Sequence, residues 1–219
     1  MDQEEVYRRV WQQFRTFDRL ADGRHDTADW RSHEGTYAVC AVRVPVAAIR
    51  ASVDALRGAL AGYPFVRVHP DHFLHITLQE LGFVCDEPSR PDEITPARLD
   101  EFVNAAAGPV AETRVFDLAL GGANSFQDAA FLDVHDRGRC ARLHDLAAIP
   151  RVPRYAYLPH TTVAHYTEDV PVGDLAATIA RWRDERFGTI RVTEVEVVTL
   201  ALDHPYPDLD PYAVIPFGR

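Results

Sequence analysis

Apolar positions along the chain recur in two rhythms: steps of three and four, which predict helices, and short apolar runs, which predict strands. The first rhythm opens the chain. Over 4–20, Val6, Val10, Phe14 and Phe17 form a stripe with Trp11 beside it, so a helix is expected to dock on the main body. Residues 21–36 are polar and turn-rich and predict a loop. The run 37–44 predicts a buried strand closed by Pro45, and 46–61 a helix with Ile49, Val53, Leu56 and Leu60 on one stripe. Gly62 and Pro64 break it. A short strand at 65–68, a turn at Pro70-Asp71 and a strand over 73–81 follow.

The second half has a comparable order. Residues 84–95 predict an acidic, proline-bearing loop, 96–107 a helix and 115–120 a strand. Gly121-Gly122-Ala123-Asn124 reads as a hairpin turn, leading to a strand at 129–134. A helix is expected over 140–149, with Leu143 and Leu146 inward, then a loop over 150–157 and a strand over 158–166. A helix at about 172–183 and strands at 191–202 and 212–217 complete the chain. Irregular alternation with hairpin-like turns predicts an α+β fold rather than a doubly wound parallel sheet. The rough doubling predicts two lobes facing across a cleft. The expected organisation is one bilobal unit over 1–219: an extension, 1–36, and a body, 37–219.

One short statement occurs twice. Phe73-Leu74-His75-Ile76-Thr77-Leu78 and Leu158-Pro159-His160-Thr161-Thr162-Val163 each contain His-x-Thr followed by an apolar residue. On a strand, alternation puts His75 with Thr77 on one face and Ile76 with Leu78 on the other; the same parity joins His160 to Thr162. A single His-x-Thr is more often a half-buried histidine with a satisfied hydrogen bond. Two copies in similar contexts point instead to a site with an acid, a base and two neutral donors.

These paired motifs, with Leu81-Gly82 after the first and Ala164 after the second, resemble the two-histidine phosphoesterases, which include 2′-5′ RNA ligases and 2′,3′-cyclic nucleotide phosphodiesterases. The likeness runs from about Tyr37 to the C-terminus. It implies a bilobal fold with mainly antiparallel sheets flanking a cleft, and metal-independent hydrolysis of a 2′,3′-cyclic phosphate to a 2′-phosphate, or action on a 2′-5′ phosphodiester. It further implies His75 as general acid and His160 as general base, with Thr77 and Thr162 on the phosphate oxygens. One departure stands out: where the family often has an arginine after the second motif, this chain has His165. By strand parity His165 is expected to face away from His160 and Thr162. The alternatives are a nucleotide-binding module of the same fold that does no chemistry, and a metallohydrolase.

The metal reading rests on His69, His72 and His75, spaced by three as on one face of a helix. Pro70 inside the run argues against a helix, and on a strand His72 would face opposite to the other two. No metal or other cofactor is therefore expected. Tyr155, Tyr157 and Phe126 fall in loops near the expected cleft and are candidates to stack on a base, beside the plainer role of packing. The proline-rich tail at Pro205, Pro207 and Pro211 suggests a rigid loop without chemistry.

Composition narrows the partner. The 219 residues carry 23 basic against 33 acidic side chains, a formal charge of −10. Non-specific affinity for polyphosphate comes from Lys and Arg displacing counterions, so the expected substrate is a nucleotide or short RNA end rather than long nucleic acid. Cys40, Cys85 and Cys140 are odd in number and widely spaced, which suits a reducing compartment. With no signal-like opening and no long apolar run, a cytoplasmic monomer without membrane contact is expected.

Overall fold

The strands of the computed structural model, which describes residues 2–146 and 157–218, gather into two five-stranded sheets. In the first, β1 (Thr36–Arg43) pairs antiparallel with β3 (His75–Val84) and β9 (Glu194–Leu200). Beyond β9 lies β10 (Asp210–Pro216), and the two-residue β4 (Glu93–Ile94) covers the β3 edge in parallel. The second sheet runs β2 (Val66–Val68), β7 (His160–Tyr166), β6 (Ala129–His135), β5 (Phe116–Ser125), β8 (Arg186–Val192), antiparallel throughout. The α+β, bilobal, mainly antiparallel expectation holds. Each motif strand lies second from an edge, shielded by a short strand.

The lobes exchange strands. β2, from the first half, joins the second sheet beside β7. At Thr193 the chain leaves β8 and enters β9 of the other sheet, so the single strand expected over 191–202 is two strands in different sheets. Likewise β4 lies in what reads as plain loop over 84–95. Two residues are too few to leave a pattern.

Among the described residues five α-helices cover the sheets: α1 (Gln3–Phe14), α2 (Arg50–Leu60), α3 (Pro96–Ala111), α4 (Arg139–Leu146) and α5 (Leu175–Ala180). Thr95 starts α3 by accepting from the Arg98 amide, with Pro96 in the first turn where no amide is needed. α1 stops at Phe14 instead of reaching 20. Tertiary pairing overrides the helical pattern there: the amides of Leu20, Ala21 and Gly23 bond to the carbonyls of Val170, Gln127 and Tyr166. Leu143 of α4 is buried, whereas the side chain of Leu146 lies outside the described residues. Ile76, Leu78 and Leu81 of β3, Val163 and Tyr166 of β7, and Val53, Leu56 and Leu60 of α2 share one continuous core.

Gly121-Gly122 is not a turn. Both glycines lie inside β5, where the register slips between Leu120 and Ala123. Gly122 has φ +74, and a Cβ there would come within 2.9 Å of both the Arg183 carbonyl and an Asp133 carboxylate oxygen. This is a glycine-bearing bulge, which bends the strand without ending it. The chain reverses later, at 126–128.

Tyr7 ties α1 to the second motif. Its ring is buried, its hydroxyl donates to the Pro159 carbonyl at 2.5 Å, and it accepts from the Val134 amide at 3.0 Å. Tyr7→Phe leaves both groups unpartnered, and a loss of about 1–3 kcal/mol is expected in urea unfolding. Unchanged stability would mean the helix is held by apolar contact alone.

Candidate active site

β3 and β7 approach each other where the sheets meet, and each carries one motif. His75 and Thr77 are half-buried while Ile76 and Leu78 are buried; His160 and Thr162 are half-buried while Thr161 and Val163 are buried. The two imidazoles are held in the same way. His75 Nδ1 lies 2.7 Å from the Phe73 carbonyl and His160 Nδ1 2.9 Å from the Leu158 carbonyl, each two residues upstream. A carbonyl only accepts, so Nδ1 carries the proton in both and the lone pair of the neutral ring sits on Nε2. Among the described residues neither Nε2, nor the hydroxyl of Thr77 or Thr162, has a hydrogen-bond partner.

The register explains what else shares this face. β3 carries bulges at Leu78 and Leu81, so Arg43, Ala41, Val39 and Tyr37 stand opposite His75, Thr77, Glu80 and Phe83. Strict alternation would have put Glu80 and His75 on opposite faces. β7 carries a bulge at Val163: Asp133, Phe131 and Ala129 oppose His160, Thr162 and His165. His165 therefore faces the site and not away from it, a correction that follows from the one extra residue. Its Nδ1 is 3.1 Å from Nε2 of buried His69, and the His25 ring centroid lies 4.8 Å from its own. Arg67 stands across from it on β2 and pairs with Asp26 at 3.2 Å.

The tail loop, expected to be without a role at the site, covers this histidine group. The Tyr206 ring lies 4.6 Å from that of His69, and its hydroxyl donates to the Arg67 carbonyl at 3.1 Å. His25, Glu80, Arg43, Arg67 and Tyr206 thus join the site unannounced by any motif, and His69, singled out for a metal, joins it as a partner of His165. Cross-strand register brings in Arg43, Glu80 and Arg67, and loop packing brings in His25, His69 and Tyr206; no sequence pattern encodes either.

Burial depresses these imidazoles because the charged form loses water. His75 is pushed down to about 4, with His160 and Arg43 adding repulsion. His160 is lowered as well: burial again dominates, while the bond to the Leu158 carbonyl and the charges of Asp128 and Glu80 pull the other way. His165 falls to about 3, chiefly by burial and then by repulsion from neighbouring histidines, so it offers no permanent charge where the family often has an arginine. His69, fully enclosed, is driven well below the usual range.

A family model described as the 2′-5′ RNA ligase superfamily matches residues 45–204. The chain belongs to that superfamily. The fold agrees: E. coli LigT complexed with 3′-AMP superposes with a TM-score of 0.61 at 15% identity, over 85% of this chain and 100% of that one. TT0787 of Thermus thermophilus gives 0.59 at 18% identity, over 82% and 97%. These are likenesses of fold. No curated protein matches the sequence. The resemblance read from the paired motifs to the two-histidine phosphoesterases is borne out at the level of family and fold.

Within this superfamily member the aromatic candidates separate. Phe126 lies against His160, ring centroids 5.1 Å apart, and stacks on Phe131. Tyr157 is anchored: its hydroxyl donates to the Thr77 carbonyl at 3.0 Å and one ring face covers His144 at 4.2 Å. Tyr155 lies outside the described residues. His69, His72 and His75 diverge, His72 being exposed with Nε2 on the Tyr206 carbonyl at 3.0 Å. Among the described residues no group of three histidine, cysteine or acidic side chains is arranged to hold a metal ion, and no helix is long and apolar enough to cross a membrane.

Proposed function

We propose that the protein is a phosphoesterase that opens a 2′,3′-cyclic phosphate, on a nucleotide or RNA end, to a 2′-phosphate, or cleaves a 2′-5′ phosphodiester. The matched pair of imidazoles carries this reading: each has Nδ1–H fixed on a carbonyl, Nε2 unpartnered, and a threonine hydroxyl beside it. One neutral imidazole takes a proton from water through Nε2 as the new P–O bond forms. The other, protonated, gives its Nε2 proton to the 3′ oxygen as the P–O3′ bond breaks. Thr77 and Thr162 donate to the non-bridging oxygens, where charge builds. The fold relative LigT, crystallised with 3′-AMP, NADP+ and ATP, supports nucleotides as the ligand class.

The family resemblance implies His75 as the acid. The local charges favour the reverse in the free protein. Asp128 and Glu80 favour a proton on His160, whereas Arg43, across the strand pair, disfavours one on His75. We therefore assign the base to His75 and the acid to His160. An aryl phosphodiester, whose phenolate leaves without a proton, separates the roles. His160→Ala is expected to lose at least tenfold less on it than on a cyclic nucleotide, whereas His75→Ala loses comparably on both. The opposite pattern would restore the assignment the resemblance implies.

The function itself is tested with 2′,3′-cyclic mononucleotides, cyclic-ended short RNAs and 2′-5′ dinucleotides, products being identified by mass. Calorimetric binding of nucleotides with no product from any of them would make the chain a binding module instead.

A further inference from the structure

Beside the histidines lies a pocket of about 300 Å³ that the catalytic reading leaves unused. One wall is the extension, through Arg24, His25 and Trp30; the other is the sheet, through Tyr37, Glu80 and Phe83. None of the extension residues falls in the span 45–204 that matches the superfamily model.

Its chemistry is specific. Trp30, Tyr37 and Phe83 pack mutually with centroids 4.6–4.9 Å apart, and His33 stacks on the remaining face of Phe83 at 3.5 Å, which fixes that ring. Glu80 is exposed and, among the described residues, makes no hydrogen bond or ion pair. The pocket joins the catalytic face directly. The ring of His25 lies 5.5 Å from Trp30 and 4.8 Å from His165. Glu80 shares the face of His75 and Thr77, and its charge is felt at His160. Across the bulge at Leu78, Thr77 and Glu80 stand opposite Ala41 and Val39, two positions and roughly 7 Å of strand apart on the same face, so the pocket lies within reach of a base whose phosphate sits at the histidines.

We propose that this pocket binds the base of the nucleotide that carries the cyclic phosphate, and that Glu80 selects guanine. The inference rests on the phosphoesterase reading and names its substrate. A carboxylate only accepts hydrogen bonds. Guanine presents two adjacent donors on its Watson–Crick edge, N1–H and the 2-amino group, and both oxygens of Glu80 accept them side by side. Adenine and cytosine each put an acceptor next to their one donor group, and uracil flanks its single N–H with two carbonyls. Each meets the carboxylate with repulsion at one position at least. The aromatic wall supplies stacking that any base can use. Selectivity is therefore assigned to Glu80 and general affinity to Trp30.

The experiment compares kcat/KM for the four 2′,3′-cyclic mononucleotides in wild type, Glu80→Gln and Trp30→Ala. Wild type is expected to favour guanine over adenine by roughly 10- to 100-fold, the worth of one bidentate contact. Glu80→Gln should bring that ratio to about one or below, because an amide offers the donor that adenine N1 needs. A ratio between bases is used because any effect of the lost charge on His160 cancels in it. Trp30→Ala should lower kcat/KM for all four bases by about 10-fold or more, mainly through KM. A wild-type ratio near one, or a ratio that Glu80→Gln leaves in place, overturns the inference while the phosphoesterase reading stands. If wild type hydrolyses none of the four, nor any cyclic-ended RNA or 2′-5′ dinucleotide, that reading fails. The pocket is then judged by calorimetry with guanosine and adenosine 2′-monophosphates, whose affinity ratio must show the same dependence on Glu80.

Discussion

His75→Ala and His160→Ala are each expected to lower kcat on a 2′,3′-cyclic nucleotide by ~10²–10⁴-fold, the worth of one general acid or base. The double variant should lose little more than the worse single one. A group that acts only with its partner has little left to contribute once the partner is gone. Thr77→Val and Thr162→Val remove one neutral donor each and should cost less, on the order of 10–10³-fold. Ile76→Val is the control: the side chain is fully buried in the core between the two site residues. It should cost about 0.5–1.5 kcal/mol of stability and leave kcat nearly unchanged. Steady-state kinetics with urea unfolding of each variant checks all of this. Near-wild-type turnover in His75→Ala on every substrate that wild type cleaves would sink the two-histidine mechanism.

The pH profile of kcat/KM belongs to the same prediction. One imidazole must be neutral and the other charged, so the profile is a bell. Both groups titrate below the ordinary histidine value in the free protein, His75 at about 4. The optimum should therefore fall on the acid side of about 6.5, and kcat/KM should decline toward neutrality as His160 loses its proton. An optimum of kcat/KM above about pH 7 would show that burial does not depress the two imidazoles in the free protein, or that the acid is another residue.

What could be read from the chain was whatever depends on local repetition. Two copies of His-x-Thr in apolar runs placed the motif strands, the α+β class and the family, because period-two alternation and helical stripes survive in the sequence of each element. Parity read across a bulge did not survive. Val163 adds one residue to β7 and turns His165 to the site side, and the bulge at Leu78 carries Glu80 onto the face of His75. Bulges add a residue without a compositional mark unless glycine is used, and at Gly121-Gly122 the glycines read as a turn instead. The role of residues 21–36 was equally hidden. Their polar composition is that of a loop, and only the tertiary pairing of the Leu20, Ala21 and Gly23 amides shows a segment bound along the second sheet and leading into the pocket wall.

The buried histidines make the fold vulnerable to acid, and this is the second large effect expected. His69, His75, His160 and His165 all hold protons less well folded than unfolded, where a histidine titrates near 6.5. Between 6.5 and about 4 the unfolded chain binds protons that the folded one refuses. By linkage, stability then falls as pH falls across that window. Each fully affected group contributes up to about 1.4 kcal/mol per pH unit. His69 and His165 are buried and should contribute nearly in full, whereas half-buried His75 and His160 contribute less. One term runs the other way. Burial outweighs the Arg183 partner and raises Asp133 to about 6, so its folded state binds a proton more readily between 3.8 and 6 and offsets roughly one histidine there. The net slope between about pH 6.5 and 5 is expected to be about 2–4 kcal/mol per pH unit. Set against the roughly 5–15 kcal/mol typical of a domain, that is enough to unfold the protein before about pH 4. Urea unfolding at intervals from about pH 7.5 to 5 measures the slope. His165→Gln should reduce it by about one proton's worth, since glutamine leaves the site uncharged in both states. A stability that stays flat from about pH 7 to 5 would mean that water or a counter-charge reaches these rings, and that the low-dielectric account of the histidine cluster is wrong.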